Sequence, residues 1–208
     1  MSTASGRDKG AVVLVPGLWF GRPALSLLAY RLARRGFRVH LYPFDSLGQG
    51  LYEAREDLAA YVLAHEARYL VGYSLGGVVV GAFCRHYPTR YVRAVALGAP
   101  FRGSSVARRS WRCPFLRRFM GAAAPTLLRG LPGVAPPRLG FVTGTKSWGI
   151  AGLWLKKGPH DGVLRVVETR LRGAADAVAL HVSHAGLVMS AKGACVVARY
   201  LEQGRFED

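Results

Sequence analysis

The stretch Gly72-Tyr73-Ser74-Leu75-Gly76-Gly77 places a serine between glycines. It fits G-x-S-x-G, a pattern in which the hydroxyl is exposed on a sharp turn from strand to helix. Here an apolar strand at residues 69–73 runs straight into an apolar helix at residues 76–86, which is the context the motif needs. Gly72 and Gly76, on either side, let the backbone hold a strained turn that lifts Oγ above the edge of a sheet. A glycine-rich turn of this kind can also cradle a phosphate or bind nothing, so neighbouring residues must decide.

A serine becomes nucleophilic at neutral pH when a base takes its proton and an acid orients the base. The chain has six histidines. His184 is favoured as the base because it follows the last strand and precedes the last helix, in a loop at the same sheet edge as Ser74. His181 alternates with its strand neighbours and reads as a half-buried core histidine; His40, His65 and His86 fall within a strand, on a helix and at a helix end. For the acid, Asp161 in Gly158-Pro159-His160-Asp161-Gly162 lies in a turn beyond another strand, on that same edge. Asp45, Glu168 and Asp176 are rivals, and an Asp-Gly pair also forms turns for its own sake. The order Ser74, Asp161, His184 matches a known arrangement of such triads.

An oxyanion formed by attack on a carbonyl needs backbone donors. One is the N–H of Leu75, at a helix N-terminus whose dipole favours negative charge. The second falls to Leu18 in Pro16-Gly17-Leu18-Trp19, where Gly17 permits close backbone approach.

The elements that must position these residues alternate. Residues 11–15 form a β-branched run ending at Pro16-Gly17, the pattern of a strand buried on both faces. Residues 25–33 carry an apolar stripe at helical spacing and stop at Gly36. Strands are expected at 37–44, 69–73, 91–97, 139–143 and 178–183, and helices at 51–66, 76–86 and 191–203. This rhythm predicts an α/β fold, an open, mostly parallel sheet of about six strands with helices on both faces. Residues 101–137 break the rhythm with proline, glycine and arginine clusters, the natural place for an excursion over the sheet.

The 208 residues suit a single domain, 1–208, and half are hydrophobic, which excludes disorder for most of the chain. Cys84, Cys113 and Cys195 have no C-x-x-C spacing, so neither a disulfide framework nor a zinc site is indicated. The first ten residues lack the basic and apolar regions of a signal peptide, and no membrane span is visible, so a cytoplasmic location is expected. The charge is lopsided, with 29 Lys+Arg against 12 Asp+Glu, a net +17. Such a balance suggests nucleic acid or an anionic surface.

The chain resembles the α/β-hydrolase superfamily, and within it small bacterial serine esterase or lipase-like proteins that begin at the third strand of the full fold. The resemblance rests on residues 12–18, 37–39, 72–77 and 97–100, then Thr143-Gly144-Thr145-Lys146-Ser147, Asp161-Gly162-Val163, His181-Val182-Ser183-His184 and the ending at residues 200–206. It implies that Asp161 and His184 are the triad acid and base. Pro16 departs from the pattern, standing where such proteins usually have a histidine that braces the loop. The resemblance also implies that residues 101–137 are a lid-like insertion.

Residues 101–160 contain no acid but carry Arg102, Arg108, Arg109, Arg112, Arg117, Arg118, Arg129, Arg138, Lys146, Lys156 and Lys157. This block is expected either to solvate a surface or to form a basic lid that docks on anionic lipid or draws in an anionic substrate, with Trp111, Phe115, Leu116 and Phe119 as apolar anchors. No nucleic-acid motif accompanies it, which argues against that partner. The expected activity is hydrolysis of carboxylic esters or thioesters on a small-molecule or lipid substrate, through an acyl-enzyme on Ser74 and without metal or cofactor. An acyltransferase using the same intermediate, or a catalytically weak fold kept as a lipid-docking module, are the alternatives.

Overall fold

The computed structural model describes residues 8–19, 21–131, 133–149, 155, 158–174 and 176–206. Lys156 and Lys157 of the basic block lie outside them. Six strands form one parallel sheet: β1 (Ala11–Val15), β2 (Arg38–Leu41), β3 (Ala67–Tyr73), β4 (Arg93–Leu97), β5 (Leu139–Gly144) and β6 (Asp176–Leu180). Their order is β2-β1-β3-β4-β5-β6. The chain thus steps from β1 outward to β2, then returns to the other side of β1 and proceeds away. Where the direction reverses, the carboxyl ends of β1 and β3 are left without a connection crossing between them, and an open α/β sheet binds its ligands in such a crevice.

The helices cover both faces because the strands are apolar on both. Val12 and Leu14 join a cluster with Leu28 and Leu32 of α1 (Ser26–Ala33) and with Val197 and Leu201 of α8 (Ala191–Gln203). Val13 and Val15 join the opposite cluster with Leu58 of α2 (Leu51–Ala64) and Val79 and Phe83 of α3 (Leu75–His86). Every β1 side chain is therefore fully buried, as the uninterrupted apolar run requires.

Two strands end earlier than their apolar patterns suggest. β2 stops at Leu41, although Tyr42 still donates its N–H to the Leu14 carbonyl, because Pro43 has no N–H to continue the ladder. β6 stops at Leu180, where the Val182 N–H turns back to the Leu180 carbonyl at 2.8 Å. His181 consequently leaves the sheet and is exposed, where half-burial is expected from its sequence pattern.

The excursion is more ordered than its composition suggests. It holds α4 (Ser105–Ser110), α5 (Pro114–Arg117) and α6 (Ala124–Arg129). Ser104 caps α4 by accepting the Ala107 N–H, and Ala107, Met120, Ala123, Ala124 and Leu127 make a third apolar cluster against Leu75. α7 (Gly186–Met189) leads into α8.

Glu168, 3% exposed, ties the root of the excursion to the chain after Asp161. Its carboxylate accepts from the Ser105 and Arg165 backbone N–H groups at 2.8 and 3.0 Å and from the Arg165 guanidinium at 3.1 Å. Its carbonyl accepts from the Arg102 N–H. Removing this carboxylate leaves a half-buried guanidinium and two amide donors without their acceptor, so Glu168→Ala is expected to cost about 2–3 kcal/mol in urea unfolding, whereas Arg108→Met, on the solvent side of the same carboxylate, costs about 1 kcal/mol or less.

Candidate functional site

Ser74 is the single residue between β3 and α3. The strain of the turn falls on the serine itself, at φ 53° and ψ −122°, rather than on the glycines around it. Those glycines serve by having no side chain. A Cβ on Gly72 would strike the Gly76 carbonyl, one on Gly76 would strike the carbonyls of Val15 and Pro16, and one on Gly17 would fall 2.9 Å from the Ser74 Cβ. The neighbours clamp the turn from both sides: Tyr73 is buried in the cluster beneath α1 and α8, and Leu75 in the cluster of the excursion. The Ser74 N–H donates to the Leu97 carbonyl at 2.8 Å.

Asp161 is 1% exposed and its carboxylate is fully engaged. Oδ1 accepts the backbone N–H groups of Val163 and Leu164 at 2.9 and 2.8 Å, and Oδ2 lies 2.7 Å from Nδ1 of His184. The turn needs glycine next, because Gly162 has φ +98° and a Cβ there would strike the Trp148 carbonyl. His184, 6% exposed, is held by a second bond, its N–H donating to the Asp161 carbonyl at 2.9 Å. An ionised carboxylate can only accept, so Nδ1 donates in this contact, and in the neutral imidazole that leaves Nε2 as the acceptor.

Space for this pair comes from glycines the motif reading did not single out as site residues. A Cβ on Gly98 would fall 3.0 Å from Nδ1 and Cε1 of His184, and one on Gly144 would fall 2.7 Å from the Asp161 Cβ. Their signal in the sequence is their place at the carboxyl ends of β4 and β5. Tyr73 stacks obliquely on the imidazole, centroids 5.0 Å apart, and burial together with the Asp161 charge raises its phenol well above the ordinary value, so it stays neutral.

The rival acids are occupied elsewhere. Asp45 accepts N–H groups of its own turn, Asp176 accepts the Phe206 N–H, and Glu168 holds the excursion. The remaining strand and helix histidines also lie apart: His40 and His65 face each other between β2 and the end of α2, with ring centroids 4.5 Å apart.

Leu18 lies in the loop after β1 and lines the same cavity as Ser74, and Leu75 is the first residue of α3. Among the described residues neither backbone N–H donates to a protein acceptor. The loop after Pro16 is braced through Trp19, which takes a left-handed φ of 61°, donates its N–H to Ser46 Oγ at 3.3 Å and donates its Nε1–H to the Phe119 carbonyl at 2.7 Å.

Ser74 and His184 open onto one cavity of about 390 Å³. Its walls are mostly apolar, with Leu18, Val106, Met120, Leu127, Trp148 and Leu164 prominent. Among the described residues no lysine or arginine lines it. The basic block is dispersed as well: Arg138 reaches the Pro88 carbonyl, beyond the amino end of the sheet, while Arg112, Arg117 and Arg118 are exposed on the excursion. Among the described residues no group of three or more His, Cys, Asp and Glu side chains is arranged to hold a metal, and no helix is long and apolar enough to cross a membrane.

No protein-family model and no curated protein matches the sequence. Solved structures do match. A lipase of Bacillus licheniformis in its mature form superimposes with a TM-score of 0.72 at 18% identity, over 94% of this chain and 92% of that one. A hydrolase from Pseudomonas aeruginosa gives 0.66 at 16% identity, over 95% and 91%. A monoacylglycerol lipase of Paleococcus ferrophilus gives 0.57 at 15%, over 93% and 94%. The chain has the α/β-hydrolase fold.

The close approach of α3 to the loop after β1 can be probed directly. Gly76→Ala is expected to lose about 1–3 kcal/mol of stability in urea unfolding by pushing the new methyl onto the Val15 and Pro16 carbonyls, whereas Gly50→Ala, which meets no atom within 4 Å, does not create such a clash and stays within about 1 kcal/mol.

Proposed function

We propose that this chain is a serine hydrolase of carboxylic esters that works through an acyl-enzyme on Ser74. The observation that carries the reading is the buried 2.7 Å contact between Asp161 Oδ2 and His184 Nδ1, with His184 and Ser74 on the same apolar cavity. The lipase and hydrolase names of structures with this fold support the same chemistry.

In the first half-reaction His184 Nε2 takes the Ser74 proton as Oγ attacks the ester carbonyl. The negative charge that develops on the carbonyl oxygen is met by the N–H groups of Leu75 and Leu18, and the imidazolium is stabilised by the Asp161 carboxylate. Collapse of the tetrahedral intermediate breaks the bond to the alkoxy oxygen, and His184 returns the proton to the departing alcohol. Water then attacks the acyl-Ser74 ester with the same proton relay, releasing the carboxylic acid and restoring the serine. The Leu75 donor is preorganised by the strained turn and the first turn of α3, so it costs little rearrangement as charge forms.

The absence of cations from the described cavity lining and its apolar walls favour a neutral, apolar acyl group over an anionic one. Residues 1–208 act as one hydrolase domain, with residues 101–137 as the cap on its cavity.

Ser74→Ala is expected to lower turnover of a p-nitrophenyl ester by about 10⁴-fold or more and to abolish covalent labelling by a fluorophosphonate. Asp161→Asn, which leaves the shape but changes what His184 Nδ1 faces, is expected to lower kcat by about 10³–10⁴-fold with a smaller change in KM. Undiminished turnover by the Ser74 variant would refute the assignment.

A further inference from the structure

Large apolar side chains that water reaches line the cavity and continue beyond it onto the excursion. Trp148 and Trp19, both on the lining, are 72% and 62% exposed, and Phe115 and Phe119 of the excursion are 63% and 43% exposed. Three of these form one connected structure: Trp19 donates to the Phe119 carbonyl at 2.7 Å, Phe119 meets Phe115 edge-on with ring centroids 5.3 Å apart, and Trp19 and Phe119 share a second cavity of about 280 Å³ with Leu116. Leu47, 43% exposed, adjoins them through its carbonyl, which accepts the Ala122 N–H. Exposed apolar groups concentrated in this way mark a surface that something covers.

The charged side chains exposed on the excursion around this surface are basic. Arg112, Arg117 and Arg118 are exposed on the same excursion, and Lys146 is exposed two residues before Trp148. Arg117 lies over the Trp111 ring at 5.3 Å. The nearby carboxylate of Asp45 is turned into its own loop, accepting the Leu47 and Gly48 N–H groups at 3.2 and 2.9 Å. Residues 101–160 supply no acid at all.

We infer that this face docks on an anionic lipid bilayer, with Trp19, Phe115, Phe119 and Trp148 entering the headgroup region and Arg112, Arg117, Arg118 and Lys146 engaging lipid phosphates. Amphipathic aromatic rings are suited to that depth, and cations near it gain from the negative surface potential. A nucleic acid would satisfy the cations but would leave the apolar rim around the cavity unburied. Docking sets the cavity against the bilayer, so a lipid ester can enter it without crossing water. That purpose rests on the ester-hydrolase reading, while the binding itself does not.

The test is cosedimentation of the full chain with vesicles of phosphatidylcholine alone and of phosphatidylcholine mixed with phosphatidylglycerol, at low and high salt. Binding is expected only with the anionic lipid, and to weaken as salt rises. Arg112→Glu with Arg118→Glu is expected to lower the partition coefficient about tenfold or more, since each basic residue near the surface contributes about fivefold. Phe115→Ala with Phe119→Ala weakens binding at both salt concentrations. Arg68→Glu, at the amino end of β3, changes it little. Unchanged melting temperatures verify that the variants are folded, and the phenylalanine pair tests the same face should the arginine pair unfold. Equal partition onto both vesicles, insensitivity to both paired variants, or equally tight arginine-dependent capture of duplex DNA would overturn the inference. Binding without p-nitrophenyl ester turnover would remove the enzymatic reading and leave docking; turnover without binding would do the reverse.

Discussion

The first turn of α3 passes so close to the ends of β1 and β3 that no side chain fits between the backbones. Gly76 faces the carbonyls of Val15 and Pro16, and Gly72 faces Gly76 and Gly77. This contact leaves one residue to join strand to helix, and that residue takes a φ of 53°, which costs an L-amino acid of order 1–3 kcal/mol. The cost is sustained because Tyr73 and Leu75 are anchored in different apolar clusters, so relaxing the turn would pull one of them out. A serine held this way has little freedom, and the N–H that follows it is fixed in direction by α3. The strand order then sets the loop after β1 beside this turn, with Gly17 against Ser74 and Leu18 on the same cavity.

The two buried carboxylates nearby show how environment separates position from chemistry. Asp161 accepts two backbone N–H bonds on one oxygen and faces an imidazole with the other, so a titratable partner stands between it and the cavity. Glu168 is met by a guanidinium and backbone donors, all permanent, and its surroundings offer nothing to transfer. The residues joining them are few, so the segment that orients His184 also anchors the wall of the cavity formed by α4. Loosening at Glu168 would therefore be felt at both.

Much of this was legible in the sequence, because it depends on local patterns. The β1 run is apolar at every position, as only a strand covered on both faces can be, and Gly-x-Ser-x-Gly between an apolar strand and helix has few alternatives. The ends of β2 and β6 were less legible: apolar residues continue past both, and Pro43 and the backward turn at Val182 end pairing despite them. The helices of the excursion were missed because each is at most six residues long, too short for helical periodicity to emerge. Gly98 and Gly144 escaped for a different reason, since each is required by a side chain distant in sequence, His184 and Asp161 respectively. Close approach between remote segments leaves no local pattern to read.

The charge of the chain is best understood through what the cavity must exclude. Proton transfer from Ser74 would make His184 an imidazolium, and a fixed cation beside Nε2 in an apolar enclosure would oppose that charge strongly, because little water is present to screen it. In the proposed reaction Asp161 would stabilise that imidazolium from the far side of the ring, and a neutral near side would leave this effect unopposed. Among the described residues no Lys or Arg stands on the lining, and the walls are built largely from Leu, Val, Met and Trp side chains. The arginines of the excursion meet this condition by standing on its outer surface, where water and salt attenuate their field at the reacting groups. There they can still act over the short range between the rim and whatever the rim touches. The same segment can therefore be strongly basic outside and apolar inside, an arrangement compatible with the chemistry proposed for His184.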